Sequence, residues 1–408
     1  MLKGKKLQEF AKLVLKIGVN LQEGQGLEVV CPVEKREVAH AFTKEAYKLG
    51  AKIVNVRWND EIIDKYTYQY APIEALKEVP KWLVDSKNYL VEKDFCYVAI
   101  SAEGPSAFAK VPAEKVSARA IAKSKALKKF SDVVMANGIR WCVVSVPTLA
   151  WAKQVFPHSK TPQKDLSTAI EQSMRLDNEN PLKAWEEHVN TLQRRANFLN
   201  EKRFSFIRFK NGLGTDLKVG LADDHLWTSA KELAKDGVEF VANLPTEEVF
   251  TAPHKDRVDG VLVSALPLCE NGKVIDKFRI EFKQGKIVDY SAEQGYDALK
   301  NIINTDKGTK SLGEIALIGK NSPIAKSGLL FYNTLFDENA SCHLAIGKGY
   351  PTTIKDGDKL SKAQLEEKGL NDSVEHVDFM IGTPDLSVTG IDSFGNETPL
   401  FIDGEWII

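Results

Sequence analysis

Residues 26–58, GLEVVCPVEKREVAHAFTKEAYKLGAKIVNVRW, decide how the chain begins to fold. GLEVVCP is a short apolar run that reads as a buried strand. EKREVAHAFTKEAYKLG has the apolar spacing of a helix, stopped at Gly50, and AKIVNVRW reads as a second strand. Two strands joined through a helix form a parallel pair, because a crossover of that length returns the chain to the same end of the sheet. The rhythm continues in DFCYVAISA (94–102) and RWCVVSVPT (140–148), separated by a long Ala/Lys-rich helical stretch, VPAEKVSARAIAKSKALKKF (111–130). A polar helix, PLKAWEEHVNTLQRRANFLN (181–200), closes this half.

Beyond residue 200 the pattern changes. FSFIRFKNGLGTDLKVGL (204–221) reads as strand, Asn-Gly turn, strand, and KVIDKFRIEFKQGKIVDYSA (273–292) as a second hairpin turning at Gln-Gly. The sequence thus predicts an α/β protein with two domains. Residues 1–200 form an N-terminal parallel-sheet α/β domain, and 201–408 a mixed α+β domain rich in antiparallel strands. A chain of 408 residues is long enough for two cores. Neither half shows an internal repeat or a low-complexity segment.

Composition narrows the function classes. Fifty-five basic residues against 56 acidic ones leave no electrostatic footprint for nucleic acid or an anionic membrane. No apolar run approaches the ~18 residues of a membrane span. The opening segment, with Leu7, Phe10, Leu13, Val14 and Ile17 at helical spacing and Lys12 and Lys16 among them, reads as an amphipathic helix and not a signal peptide. Five scattered cysteines, Cys31, Cys96, Cys142, Cys269 and Cys342, make no C-x-x-C pair and fit a reducing cytoplasm. H-E-x-x-H, H-x-x-E-H, G-x-S-x-G and P-loop patterns are missing, and GQG at 24–26 is no dinucleotide fingerprint.

What remains is a set of acids and histidines in the second half: Glu247 and Glu248 in NLPTEEVFTAP, Glu314 in SLGEIALIG, Glu338, His343 and Tyr350 in FDENASCHLAIGKGY, and His376 and Asp378 in SVEHVDFMIG. On a strand, residues i and i+2 share a face, so His376 and Asp378 project together while Val377 and Phe379 point the other way. An imidazole and a carboxylate on an apolar strand are costly to bury unless a partner such as a divalent cation satisfies both. Read residue by residue, such groups are more often a surface pair, a satisfied histidine or a solvated rim carboxylate than metal ligands, and Tyr350 a packing aromatic after Gly-Lys-Gly. Together they collect at strand ends of one domain, where a metal centre on a sheet would draw its ligands. His40, His158, His188, His225 and His254 lack this setting, although His254 follows closely on Glu248.

At these residues the chain resembles the M29 metallo-aminopeptidases, the thermophilic aminopeptidase and aminopeptidase S/T group. The resemblance runs the full length, from IGVNLQEGQGLEV (17–29) through all four C-terminal segments in order. It implies two divalent ions, Zn²⁺, Co²⁺ or Mn²⁺, bound by Glu248, Glu314, Glu338, His343, His376 and Asp378. It also implies Tyr350 and Glu314 as catalytic residues, small peptides with free N-termini as substrates with broad tolerance for the side chain, and a homodimer. The first domain would then serve dimer contact and substrate access. Carboxylates with neutral imidazoles suit borderline divalent ions. A pair of ions ~3.5–4 Å apart could activate a bridging water for attack on an amide. Two other readings stay open: a dinuclear hydrolase of a phosphoester or another amide, for which Lys255, Arg257 and Lys348 are near in sequence, and a binding protein without turnover.

Overall fold

The computed structural model describes residues 2–102, 104, 107–108, 111–270 and 273–408, and the side chains of Ala113 and Cys269 lie outside the described set. Two compact units emerge: Met1–Glu187 with Lys231–Pro245, and His188–Ala230 with Thr246–Ile408.

The first unit is built on a four-stranded parallel sheet. Gly26–Pro32 lies between Ile53–Asn59 and Cys96–Ser101, and Trp141–Ser145 pairs with the last of these. The helix Arg36–Lys48 joins the first two strands as the opening stretch requires, and Gly50 ends it with φ +89°. Gly26–Pro32 is buried almost throughout, as a central strand of a parallel sheet should be. The Ala/Lys-rich stretch is two helices, Ala113–Ala126 and Lys128–Met135. The N-terminal helix Gly4–Leu13 buries Leu7, Phe10, Ala11 and Leu13, in line with its apolar spacing.

The division differs from a single cut near residue 200 in two respects. The boundary falls inside the continuous helix Pro181–Lys202, and a later segment returns to the first unit. That segment is the hairpin Lys231–Leu233/Glu239–Val241. Buried Arg140 donates to Asp236 at 2.6 Å, and Asn137 donates to Glu232 at 2.5 Å. Residues 242–244 then run beside the strand Trp141–Ser145, with Val143 N–H donating to the Ala242 carbonyl and Leu244 N–H to that of Val143. These contacts join residues about a hundred positions apart, so no local signal announces them.

The second unit holds a nine-stranded sheet and a separate four-stranded one. Phe206–Lys210 and Asp216–Leu221 form the first expected hairpin, but its loop is longer than an Asn-Gly turn. The Asn211 side chain accepts from Leu213 N–H and Thr215 N–H and stabilises that wider loop instead. Lys273–Lys283 and Lys286–Gln294 do turn at Gln284-Gly285, both at positive φ, the two-residue geometry that favours glycine.

The four-stranded antiparallel sheet carries the candidate site. Its order is His376–Met380, His343–Gly347, Leu312–Leu317, Val249–Thr251. Asp378 pairs with Ala345 and Ala345 with Glu314, while His343 pairs with Ala316 on one side and Met380 on the other. Alternation therefore sends Glu314, His343, His376 and Asp378 to one face, where Phe250 also points, and Glu248 lies two residues before Phe250. Val249, Ile315, Leu317, Leu344, Ile346, Val377 and Phe379 go to the other face, and all are buried. Each such side chain contributes about 1.5–3 kcal/mol by leaving water, so this apolar face pins the register that holds the polar one in place.

Candidate metal centre

Glu314 is the middle of the site. Its Oε1 is 3.6 Å from His343 Nε2 and its Oε2 is 3.5 Å from His376 Nε2, one oxygen to each imidazole. Glu248 Oε2 approaches His343 Nε2 at 3.5 Å, and Asp378 Oδ1 approaches His376 Nε2 at 3.2 Å and His343 Nε2 at 4.0 Å. Two groups of side chains thus converge tightly enough to hold an ion, Glu248–Glu314–His343 and Glu314–His376–Asp378, and Glu314 belongs to both. The small residues between them, Ala345, Ala316 and Gly347, leave the face open for this convergence.

Glu338 sits on the short 3₁₀ turn Glu338–Ala340, outside both tight groups. Asn339 beside it is fully buried, accepts from Glu247 N–H at 2.7 Å and donates to the Leu335 carbonyl at 3.0 Å. That bond ties the Glu338 turn to the Glu247–Glu248 segment. Tyr350 follows the end of the His343 strand, its ring 4.9 Å from that of His376 and 6.5 Å from that of Phe250.

Electrostatics reflect a crowd of carboxylates. Burial raises the Glu248 carboxyl to about 8, with Glu314 and Asp378 adding to the rise and His343 opposing it. Burial and the charges of Glu248 and Asp378 push Glu338 well up. Burial pulls the two imidazoles down, but it is outweighed: the Glu314 carboxylate and the charges of Asp378 and Glu248 hold His343 at about 10, and Asp378 and Glu314 hold His376 at about 10. Asp378 stays below its usual range despite burial, because both imidazoles face it. Burial first, then the charges of Glu314 and Asp378, lift the Tyr350 phenol far beyond its ordinary range, so it is a proton donor and not a phenolate.

The donor set fits divalent cations. Asp378 Oδ1 is buried without a hydrogen-bond partner, and among the described residues no lysine or arginine forms an ion pair with any of the six candidate ligands. Without a cation, protons on the imidazoles have to answer the negative charge. A divalent ion does so while using the same Nε2 lone pairs. His376 is already oriented for this, since its Nδ1–H donates to the Lys348 carbonyl at 2.6 Å and leaves Nε2 facing Glu314 and Asp378. Two glycines make that turn possible. Gly347 has φ +101°, and a Cβ there would lie 2.2 Å from the Glu375 carbonyl oxygen; one on Gly313 would lie 2.4 Å from that of Gly347.

The Lys348 carbonyl, Asn339 and the two glycines escaped the sequence reading, because their roles come from backbone atoms and long-range contacts. The Gly-Lys-Gly run ahead of Tyr350 was the available signal. His188, set aside in that reading, donates its Nε2–H to the Thr246 carbonyl at 2.8 Å and lies 3.5 Å from Glu247, one residue from Glu248. His225 and His254 have local backbone partners, the Ala222 carbonyl and Asp256 N–H.

The model of the M29 family, thermophilic metalloproteases, matches residues 3–406. The chain belongs to this family. It is 41% identical to Aminopeptidase 2 of Geobacillus stearothermophilus and 38% identical to Aminopeptidase AmpS of Bacillus subtilis, in each case over 98% of both chains. The solved structure of wild-type AmpT from Thermus thermophilus superposes with a TM-score of 0.93 at 34% identity, covering 99% of each chain. Family and relatives support a metal-dependent aminopeptidase, on a mixed α/β fold with one parallel and several antiparallel sheets.

Proposed function

We propose that this metal-dependent aminopeptidase holds two divalent ions on the polar face of the four-stranded sheet and removes single residues from the free N-termini of small peptides. The observation that carries the reading is Glu314, which offers one oxygen toward each imidazole and so links two ligand groups into one centre. Glu248, Glu338 and His343 would hold one ion and His376 and Asp378 the other, with Glu314 common to both. Zn²⁺, Co²⁺ and Mn²⁺ suit such carboxylate and imidazole donors. Ions bound there would supply Lewis acidity and lower the pKa of a bound water. Glu314 would be the residue to take or steer the proton of the attacking water. Tyr350, kept protonated by burial and the surrounding carboxylates, donates a hydrogen bond to the oxygen of the attacked carbonyl as charge develops on it.

The phosphoester alternative loses support from the cations it would need. Arg257 pairs with Asp223 at 3.0 Å, Lys255 faces Glu366, and Lys348 is exposed with its carbonyl turned to His376. The deciding assay compares aminoacyl-p-nitroanilides, their N-acetylated forms and an aryl phosphate, using chelator-stripped protein reloaded with each metal. Cleavage of the free-amine substrates alone, restored by metal and missing in Glu314→Gln, is the expected outcome. Turnover of the phosphate in preference to the anilides would replace the proposed reaction.

The first unit carries none of the six candidate ligands. Ile62, Ile63, Tyr66 and Tyr70 are exposed along one side of the helix Glu61–Tyr70, an apolar stripe of the kind that marks an interaction site, and Trp58 and Trp82 are also exposed on this unit. A second copy of the chain is the proposed cover, giving a homodimer in which this unit also limits access for large substrates. Sedimentation equilibrium of Trp82→Asp beside the unaltered protein tests it, and a monomeric unaltered protein would refute it. Among the described residues no helix is long and apolar enough to cross a membrane. The free, buried thiols of Cys31, Cys96, Cys142 and Cys342 support a cytoplasmic location; oxidation of these thiols in protein isolated from cells would argue against it.

A further inference from the structure

We propose that Asn371 is a positioning residue of the metal centre, fastening with one buried amide the loops that present Glu314, His376 and Tyr350. The proposal rests on the metal-centre reading above. Asn371 is 5% exposed, and its Nδ2 lies 2.6 Å from the Gly347 carbonyl oxygen, 2.8 Å from that of Gly308 and 3.3 Å from that of Ser311. An amide nitrogen has two hydrogens, so the two short bonds take one each and the third oxygen shares. The Asn371 backbone carbonyl in turn accepts from Gly349 N–H at 2.9 Å. The Gly347–Gly349 turn is therefore gripped from both sides by a single residue.

Each gripped segment leads directly to a functional side chain. Ser311 precedes the strand Leu312–Leu317 that carries Glu314, and Gly347 N–H donates to the Ser311 carbonyl at 2.9 Å. Lys348, between the two glycines, donates its N–H to the Glu375 carbonyl at 2.7 Å and accepts from His376 Nδ1 at 2.6 Å. Tyr350 is the next residue after the turn. The carbonyl that fixes the His376 tautomer thus owes its position to Asn371, which touches no candidate ligand itself. Such outer partners govern ring orientation and metal affinity.

Donor chemistry makes the role specific. Aspartate has the same shape but no hydrogen to give, and would set an anion against three carbonyl oxygens. A separate connection already joins two of these segments: Ser373 Oγ lies 2.9 and 3.0 Å from the two carboxylate oxygens of Asp306, and Val374 N–H donates to Asp306 at 2.8 Å. Removing the Asn371 side-chain donor accordingly releases the Gly347 carbonyl and loosens the Gly347–Tyr350 turn, which keeps only its backbone bonds, while the 306–310 turn stays attached to residues 373–374.

The test compares Asn371→Asp and Asn371→Ser with Ser373→Ala in the full chain. It reads Co²⁺ affinity by chelator competition, the visible spectrum of the Co²⁺-loaded protein, Tm, kcat and KM. The expected result is Co²⁺ binding ~10–100-fold weaker in both Asn371 variants, with an altered spectrum and a reduced kcat at a KM within about twofold. Ser373→Ala should lose Tm and keep the affinity and spectrum. If Asn371→Asp does not fold, Asn371→Ser, which retains one donor, carries the comparison. Unchanged affinity and spectrum in Asn371→Ser, or losses no greater than those of Ser373→Ala at equal Tm, would overturn the role. A His376→Ala control that binds Co²⁺ as tightly as the unaltered protein would instead overturn the centre itself, and the role with it.

Discussion

Tyr350 shows how surroundings can suit one side chain to the chemical role proposed for it. A phenol at the surface would be an ordinary hydrogen-bonding group. Here burial and the carboxylates of Glu314, Asp378, Glu338 and Glu248 keep it protonated at every working pH, and its ring rests against that of His376. Only a neutral phenol can donate to a developing oxyanion. Tyr350→Phe removes the donor and keeps the ring, so kcat should fall ~10²–10³-fold while KM and metal content stay close to those of the unaltered enzyme. Steady-state kinetics with a leucyl anilide checks this, and a kcat within a few-fold of the unaltered value would exclude the role.

At the scale of the element, the four-stranded sheet separates stability from chemistry by its two faces. Ala345 lies between Asp378 and Glu314 across the strands and is fully buried, so its methyl group is what leaves room for the carboxylates to converge. Ala345→Leu should abolish metal binding and activity at a stability cost of about 1–3 kcal/mol. On the opposite face, Leu344→Ala should cost ~2–5 kcal/mol and leave metal content intact. Metal analysis beside denaturant melts distinguishes the two, and equal metal loss in both variants would contradict the assignment of faces. This alternation was legible in SVEHVDFMIG, where period two puts His376 and Asp378 together. The meeting of that strand with Glu314 and Glu248 was not, because strand order across a sheet leaves no local trace. Resemblance to a family supplied it.

For the whole molecule, the centre links folding to protons and metal. His343 and His376 are raised to about 10 from an ordinary 6.5, and Glu248 to about 8 from 4.5. A raised pKa stabilises the fold below the unfolded value and loses that contribution as pH climbs through the folded one. The metal-free protein should therefore lose Tm as pH rises, through Glu248 from 4.5 to about 8 and through the two imidazoles from 6.5 to about 10. Asp378, held low, adds no slope in that window. Metal displaces the imidazole protons, so the loaded protein should show a flatter curve and an affinity that grows with pH. Parallel melts of stripped and loaded protein would reveal it, and a stripped protein whose Tm rises across that range would contradict the charge arrangement. The division into units was only partly readable at this scale. The change from α/β to antiparallel texture was visible near residue 200, but Pro181–Lys202 runs unbroken through the boundary, and Arg140 and Asn137 draw the 231–241 hairpin back to the first unit.

The proposed reaction rests on Glu314 being shared by two ion positions. Metal stoichiometry, measured by titrating chelator-stripped protein with Co²⁺, tests it most directly. Two equivalents are expected for the unaltered chain, one for Glu248→Ala or Asp378→Ala, and none bound tightly by Glu314→Ala. A single equivalent in the unaltered chain, or two retained by Glu314→Ala, would contradict it.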